Sequence, residues 1–325
     1  MNYIGEIISL GVACSWTVAA LASEVGSRHL GVFVMNVWRM ALALLFSMLL
    51  MWVFVGSPYP AYASLEAWLW LLASGVVGYV FGDWCLFNSY LTIGSRFGQL
   101  FMTLAPAFTA VFAFVMLGQT LSWNSLLAMV VTMGGIAIAV TDKAGSKDGE
   151  SLPLKGILFG LGAALGQGLG LVLSKIGLDH YIASVPQELL PSIHAYLPFG
   201  SNLIRCVAGL FCFYTFYILV VRGKRKVASS KGEAASSKGG LRASLHDRRG
   251  LAAMLIAVMS GPFIGVGFSL MAVEYTAAGI ASTLMATTPV LILFPSRWMF
   301  GQPITLRSVI GAVISVVGVS LFFLL

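Results

Sequence analysis

The nine residues LASEVGSRH at Leu21–His29 return in altered form as VLSKIGLDH at Val172–His180, so that Ser23, Gly26 and His29 recur 151 positions later as Ser174, Gly177 and His180. A second match joins NVWR at Asn36–Arg39 to NLIR at Asn202–Arg205. Further along, Gly78, Gly82, Pro106, Gly118, Gln119 and Gly135 reappear 183 positions later as Gly261, Gly265, Pro289, Gly301, Gln302 and Gly318. The offset grows along the chain, as insertions confined to loops would make it. An Asn-x-x-Arg, a Pro and a Gly-Gln pair are not generic residues of apolar segments, so the chain reads as an internal duplication.

The duplicated unit is a membrane unit. Of the 325 residues, 58% are hydrophobic and only 10% are charged, with a mean hydropathy of +0.92. A soluble domain carries roughly 25% charged residues, so too few ionisable groups remain to coat a surface in water. Ten apolar segments are expected, near 4–23, 32–55, 67–91, 95–117, 122–141, 154–174, 201–221, 250–273, 279–299 and 305–325. The fold expected is an all-α polytopic membrane protein of ten transmembrane helices. Residues 1–141 form a first five-helix repeat, 142–153 a cytoplasmic linker, and 154–325 a second repeat carrying a flexible basic loop at 222–249. No cleavable signal peptide is expected, because Met1–Tyr3 has no basic residue ahead of the first apolar run.

An odd number of helices obliges the second copy to enter the membrane from the opposite side, which gives inverted repeats, a common plan among transporters. Loop charge agrees. The connection Gly56–Glu66 has no Lys or Arg, whereas its counterpart between Arg222 and Arg249 holds nine of the chain's 19. Arg28, Arg96, Lys143, Lys147, Lys155, Arg297 and Arg307 fall on the same side as that loop. The basic loop is therefore expected in the cytoplasm and both termini outside, in the plasma or inner membrane. On this reading the excess of +7 reports orientation, not nucleic-acid binding.

Charges inside apolar spans point to function, because each costs several kcal/mol unless paired or hydrated. Asn36 with Arg39, and Asn202 with Arg205, share a helix face at i, i+3. Each pair offers N–H donors to a carboxylate or phosphate; snorkelling or bonding to a broken helix is the structural alternative. Asp83 is the best intramembrane acid, a candidate for proton coupling or for pairing with an Arg. Glu24 and Lys175, equivalent positions of opposite charge, are expected as boundary anchors, and Glu274 as solvated. Trp16 and Gln167 are repeat equivalents that add to a substrate pocket, with Trp38, Tyr79 and Trp84 as further aromatic surface. Pro106 and Pro289 are expected to break helices that line the path. Gly162, Gly166 and Gly170 form a stripe for close helix packing. Cys14, Cys85, Cys206 and Cys212 all lie in apolar runs and read as small apolar fillers.

Enzyme signatures are missing: there is no phosphate loop and no His-Glu-x-x-His, and His29, His180, His194 and His246 all lie outside the apolar spans. No catalytic residue, cofactor or metal is expected. Gly94–Val140 (GSRFGQLFMTLAPAFTAVFAFVMLGQTLSWNSLLAMVVTMGGIAIAV) and its partner Ala278–Leu324 resemble the EamA-type family of the drug/metabolite transporter superfamily. In that family a small-residue run leads to a Pro, an apolar helix, a Gly-acid turn and a Gly-rich last helix. Arg39 also matches a position where the family often has Arg. Gln119 and Gln302 stand where the family usually has Glu, and family members usually keep both termini in the cytoplasm, opposite to the charge count here. The resemblance implies secondary, alternating-access transport of a small organic metabolite, an amino-acid-like or drug-like solute, by a monomer or homodimer in the lipid bilayer. A non-transporting membrane sensor or scaffold is the alternative.

Overall fold

The computed structural model describes residues 3–118, 123–141, 152–230, 241–265, 268, 272 and 284–324. The expectations for Gln119, Lys143, Lys147, most of the 142–153 linker, the centre of the basic loop (231–240), Glu274 and the join between the eighth and ninth apolar segments lie outside the described residues. Among those described, every regular element is helical. In order they are α1 (Ile4–Leu30), α2 (Val32–Val55), α3 (Leu65–Ser74), a π-helical stretch (Gly75–Asp83), α4 (Trp84–Met102), α5 (Ala105–Leu117), α6 (Trp123–Val140), α7 (Leu154–Ser184), α8 (Leu190–Ile193) and α9 (Leu197–Ser230). Then follow α10 (Leu241–Ser244), α11 (Arg248–Val258) with a second π-helical stretch (Met259–Gly265), α12 (Thr288–Leu291), α13 (Leu293–Phe300) and α14 (Leu306–Leu324).

Five helical runs, Ile4–Leu30, Val32–Val55, Leu65–Met102, Leu154–Ser184 and Leu197–Leu219, are long and apolar enough to cross a membrane, and Ala105–Leu117, Leu126–Val140 and Leu306–Leu321 are shorter apolar helices. The ten expected segments are thus partly redrawn. Segments expected at 67–91 and 95–117 meet inside one run, which changes direction at Gly94 (φ 84, ψ 157) and ends at Met102. A side chain at Gly94 would be strained at that φ and would also run into Gln302. Residues 222–230, expected as flexible loop, continue α9 as helix.

Pro106 and Pro289 do not kink helix interiors. Each occupies the first turn of a new helix, α5 and α12, where its missing N–H costs nothing. The breaks before them carry matching bonds: the Thr103 hydroxyl donates to Leu100 O at 2.7 Å and the Thr287 hydroxyl to Leu284 O at 2.6 Å. Helix α5 stops at the left-handed Gly118 (φ 65), and α13, which follows α12, stops at the left-handed Gly301 (φ 68).

The chain divides into two compact units. Unit 1 comprises Met1–Glu24, Cys85–Leu169 and Ile256–Leu325; unit 2 comprises Val25–Trp84 and Gly170–Leu255. In unit 1, α6 and α14 pack through small residues: Gly135 lies against Ser315, and Gly318 against Thr132. Unit 2 is built on α2 against α9, with a core of Val37, Met40, Ala43, Cys206 and Phe213. All four cysteines are free; Cys85 and Cys206 are buried, but Cys14 is exposed and fills no gap.

Several contacts come in pairs related by the sequence offsets of 151 and 183. A Cβ on Gly170 would stand 2.8 Å from the Cα of Gly78 within unit 2, and one on Gly261 would stand 3.4 Å from the Ala19 Cβ within unit 1. Within unit 2, Gly177 faces the backbone N of Leu71 and Gly26 faces that of Met254. Helix starts are also matched. The Ser64 hydroxyl caps α3 by accepting from Ala67 N at 3.2 Å, and the Asp247 carboxylate caps α11 by accepting from Gly250 N at 2.9 Å. The acids that meet the equivalent histidines sit two positions apart in register: His180 Nδ1 lies 3.0 Å from Glu66, and His29 Nδ1 lies 3.0 Å from Asp247.

Asp247 sits outside the apolar runs, and the Gly250 N–H, with His29 second, holds its carboxyl below the ordinary carboxylate value. The native state therefore favours ionised Asp247. Its stabilisation is complete above the ordinary carboxylate value of about 3.9 and is lost as pH falls through the lower native value. Asp247→Asn is expected to flatten that acid limb of a melting-temperature profile and leave the neutral limb's slope unchanged. An unaltered acid limb would remove Asp247 from the balance.

Candidate functional site

The charges of unit 2 that lie within apolar helices converge. Helix α2 contributes Asn36 and Arg39, the π-helical stretch contributes Tyr79 and Asp83, and α9 contributes Asn202 and Arg205. A π-helical stretch widens the helix and frees backbone from the regular ladder, a feature concentrated at functional sites. Here it carries the aromatic ring and the acid to the α2–α9 seam. Arg39 Nη2 pairs with Asp83 Oδ2, with side-chain exposures of 13% and 6%. The Tyr79 hydroxyl donates to Asn202 Oδ1. Both guanidinium groups approach the Tyr79 ring, Arg205 Cζ at 4.4 Å from its centroid and Arg39 Cζ at 5.9 Å.

The two Asn-x-x-Arg pairs, alike in sequence, are engaged differently. Asn36 is fully buried and donates its amide to Val32 O at 3.0 Å, a bond inside its own helix; its Oδ1 is buried with no hydrogen-bond partner. Arg39 is held by Asp83. Arg205 has no carboxylate partner among the described residues, and its Nε is buried without a hydrogen bond. The arrangement can hold a polar solute through N–H donors in an apolar surround, where such bonds are strong.

The other expected site residues fall in unit 1. Trp16 packs with its Nε1 against Gly265, Gln167 is half-buried on α7, and Pro106 and Pro289 open α5 and α12. Trp38 donates its Nε1 to the Ser244 hydroxyl at 3.0 Å, an anchoring contact. Lys175 is exposed and pairs with Asp179 at 2.5 Å.

Two expectations are corrected in unit 1. Glu24 is no boundary anchor: it is fully buried, and its carboxylate accepts from Ser95 N at 2.6 Å, capping the helical piece that restarts after Gly94. Arg96 is no loop charge: it is 3% exposed, donates to Pro303 O at 2.7 Å, and lies 4.3 Å from the Phe97 centroid. Both errors come from ending helices too early. Only Thr92–Gly94 separate the third and fourth expected segments, too few residues to reach water and return.

Comparison with known proteins bears on the whole chain. A protein of known crystal structure superposes with a TM-score of 0.58 at 14% identity, covering 98% of this chain and 96% of that one, a likeness of fold alone. No curated protein matches the sequence. The model of the EamA-like transporter family matches twice, over residues 3–141 and 154–324. That family consists of transporters, not enzymes, and the apolar helices that carry both matches mark a multi-pass membrane protein. The chain belongs to the EamA-like transporter family.

Proposed function

We propose that the chain is a secondary, alternating-access carrier of a small organic metabolite, an amino-acid-like or drug-like solute, seated on Asn36, Arg39, Asn202 and Arg205. Its ten helices form two inverted five-helix repeats, 1–141 and 154–325, joined by a cytoplasmic linker at 142–153. The protein sits in the plasma or inner membrane as a monomer or homodimer, with the 222–249 segment cytoplasmic and the termini outside. In unit 1, Trp16 and Gln167 are candidate substrate contacts, and the breaks at Pro106 and Pro289 are candidate path linings. Asp83, released from Arg39, is the proton-coupling acid.

The observation that carries this reading is the convergence of Arg39, Asp83, Tyr79, Asn202 and Arg205 in one apolar unit. Buried polar groups at such a cost mark a solute path in membrane proteins. The repeat plan is supported by the double family match and by the reciprocal pairs Gly135–Ser315 and Thr132–Gly318, the pattern a two-fold relation produces.

A metabolite-library thermal-shift screen identifies a solute; its flux is then followed in proteoliposomes. Arg39→Gln is expected to reduce protein-dependent flux by about tenfold or more, the loss that follows when a charge-assisted bond of about 1.5 kcal/mol or more is removed. Flux equal to wild type in Arg39→Gln removes Arg39 from the path. Absence of flux, with cellular function lost through changes in 222–249, favours a sensor or scaffold.

A further inference from the structure

Resting on the carrier reading, the geometry points to a narrower substrate class: a carboxylate of net charge −1, whose charge is met first by Arg205 and the Asn202 amide within the seat that Arg39 completes. Charge balance is the first argument. Within the apolar helices of unit 2, the inward charges among the described residues are Arg39, Asp83 and Arg205, a net charge of +1; the unit's other described charges are exposed or lie in end turns. Arg39 and Asp83 neutralise each other. Arg205 has only the face of Tyr79, 4.4 Å from its Cζ. A cation–π contact offsets part of the desolvation of a guanidinium and leaves its in-plane N–H donors to be met.

Donor inventory is the second argument. Asn202 Oδ1 is taken by the Tyr79 hydroxyl, which turns the amide Nδ2 away as an uncommitted donor one helical turn from Arg205. Arg205 Nε is buried without a partner. Both open groups of α9 are thus N–H donors, and both ask for an acceptor with more than one oxygen. On α2 the donors are better served: Asn36 gives its amide to Val32 O, and Arg39, whose Nε is buried without a hydrogen bond like that of Arg205, has the Asp83 carboxylate that Arg205 lacks. A neutral solute leaves Arg205 uncompensated, and a zwitterion brings an ammonium when Asp83 is already committed. A phosphate ester brings about −1.5 to −2 at pH 7, more than the site lacks. A monocarboxylate closes the balance.

The test uses purified full-length protein, first without ligand. Arg39→Met strands Asp83 and is expected to lower the melting temperature. Arg205→Met removes an uncompensated charge and is expected to raise it by about 2–4 °C, the shift that accompanies a small stabilisation in a protein of this size class. Four probes of one size follow: benzoate, phenyl phosphate, benzamide and phenylalanine. Benzoate is expected to stabilise the wild type most, with its apparent affinity about thirtyfold weaker or more in Arg205→Met.

A fall in the unliganded melting temperature of Arg205→Met comparable to that of Arg39→Met would make Arg205 structural and overturn the proposal. So would benzamide, phenylalanine or phenyl phosphate stabilising as well as benzoate, or a benzoate effect that survives in Arg205→Met. Protein-dependent flux of benzamide undiminished in Arg205→Met would sink the anion class and leave the carrier reading intact. Identical flux in wild type and Arg39→Gln bears on the carrier reading alone.

Discussion

Asp83→Ala is expected to destabilise the protein by about 3–5 kcal/mol, the loss that follows when one partner of a buried ion pair is removed. The cause is less the lost attraction than what remains. Arg39, on α2, would keep a full charge beside Val37 and Met40 in the core of unit 2, with its Asp83 contact gone. Tyr79 would offset little, because its ring already faces Arg205 at closer range, 4.4 Å against 5.9 Å. Arg39→Met alone should cost a similar amount by stranding Asp83. The double variant Arg39→Met with Asp83→Leu should recover most of the loss, since an apolar pair of similar volume is often as stable as a buried ion pair. Equilibrium unfolding in detergent, run as a double-mutant cycle, reads the coupling directly. Additive losses would mean that the pair contributes nothing as a pair, and Asp83 would then have to be explained by its other neighbours.

The sequence made the duplication legible because its markers are residues with fixed physical roles. Pro106 and Pro289 stand at helix starts, Gly118 and Gly301 at helix ends, and Gly135 and Gly318 where side chains do not fit. Such roles survive divergence, so they align where apolar neighbours do not. Helix continuity was harder to read. Gly94 changes direction without leaving the helical run, and hydropathy alone takes the polar stretch around it for a loop, which misplaced Arg96 and, by the same logic at the end of α1, Glu24.

The site was half legible. Both Asn-x-x-Arg pairs and Asp83 stand out as polar residues in apolar spans, but Arg39 and Asp83 lie 44 residues apart, and no local rule pairs positions at that distance. Tyr79, read as one aromatic among several, lies at the centre because a π-helical stretch presents it between α2 and α9. That Arg39 has a carboxylate partner and Arg205 has none among the described residues is invisible in near-identical motifs. Only the position of Asp83 decides it.

Gly135→Leu is the second large effect expected, and it tests the relation between the repeats through a different kind of physics. Between apolar helices in lipid there is no hydrophobic drive to associate, so contact depends on small residues that let backbones approach. At the α6–α14 seam a Cβ on Gly135 would meet the Ser315 backbone N and side chain, with Gly311 O at 2.7 Å. From the other helix of the same seam, α14, a Cβ on Gly311 would stand 2.7 Å from Ala139 N and one on Gly318 would stand 2.8 Å from Thr132 Cα. These neighbours are backbone, not flexible chain ends, so the helices must part to admit a side chain. The cost is expected at or beyond the upper end of the 1–3 kcal/mol typical of overpacking. Gly134 supplies the control within the same helix: it is exposed, with nothing within 4 Å of its added Cβ. Gly134→Leu should therefore stay within about 0.5 kcal/mol of the wild type. Because Gly135–Ser315 and Gly318–Thr132 are the same contact read from opposite repeats, Gly318→Leu should match Gly135→Leu in size, and the two together should fall well short of additive, since either one alone parts the seam. Equal melting of the Gly134 and Gly135 variants would sink the seam as described. A large effect at Gly135 with none at Gly318 would keep the seam and break the two-fold relation on which the inverted-repeat proposal leans.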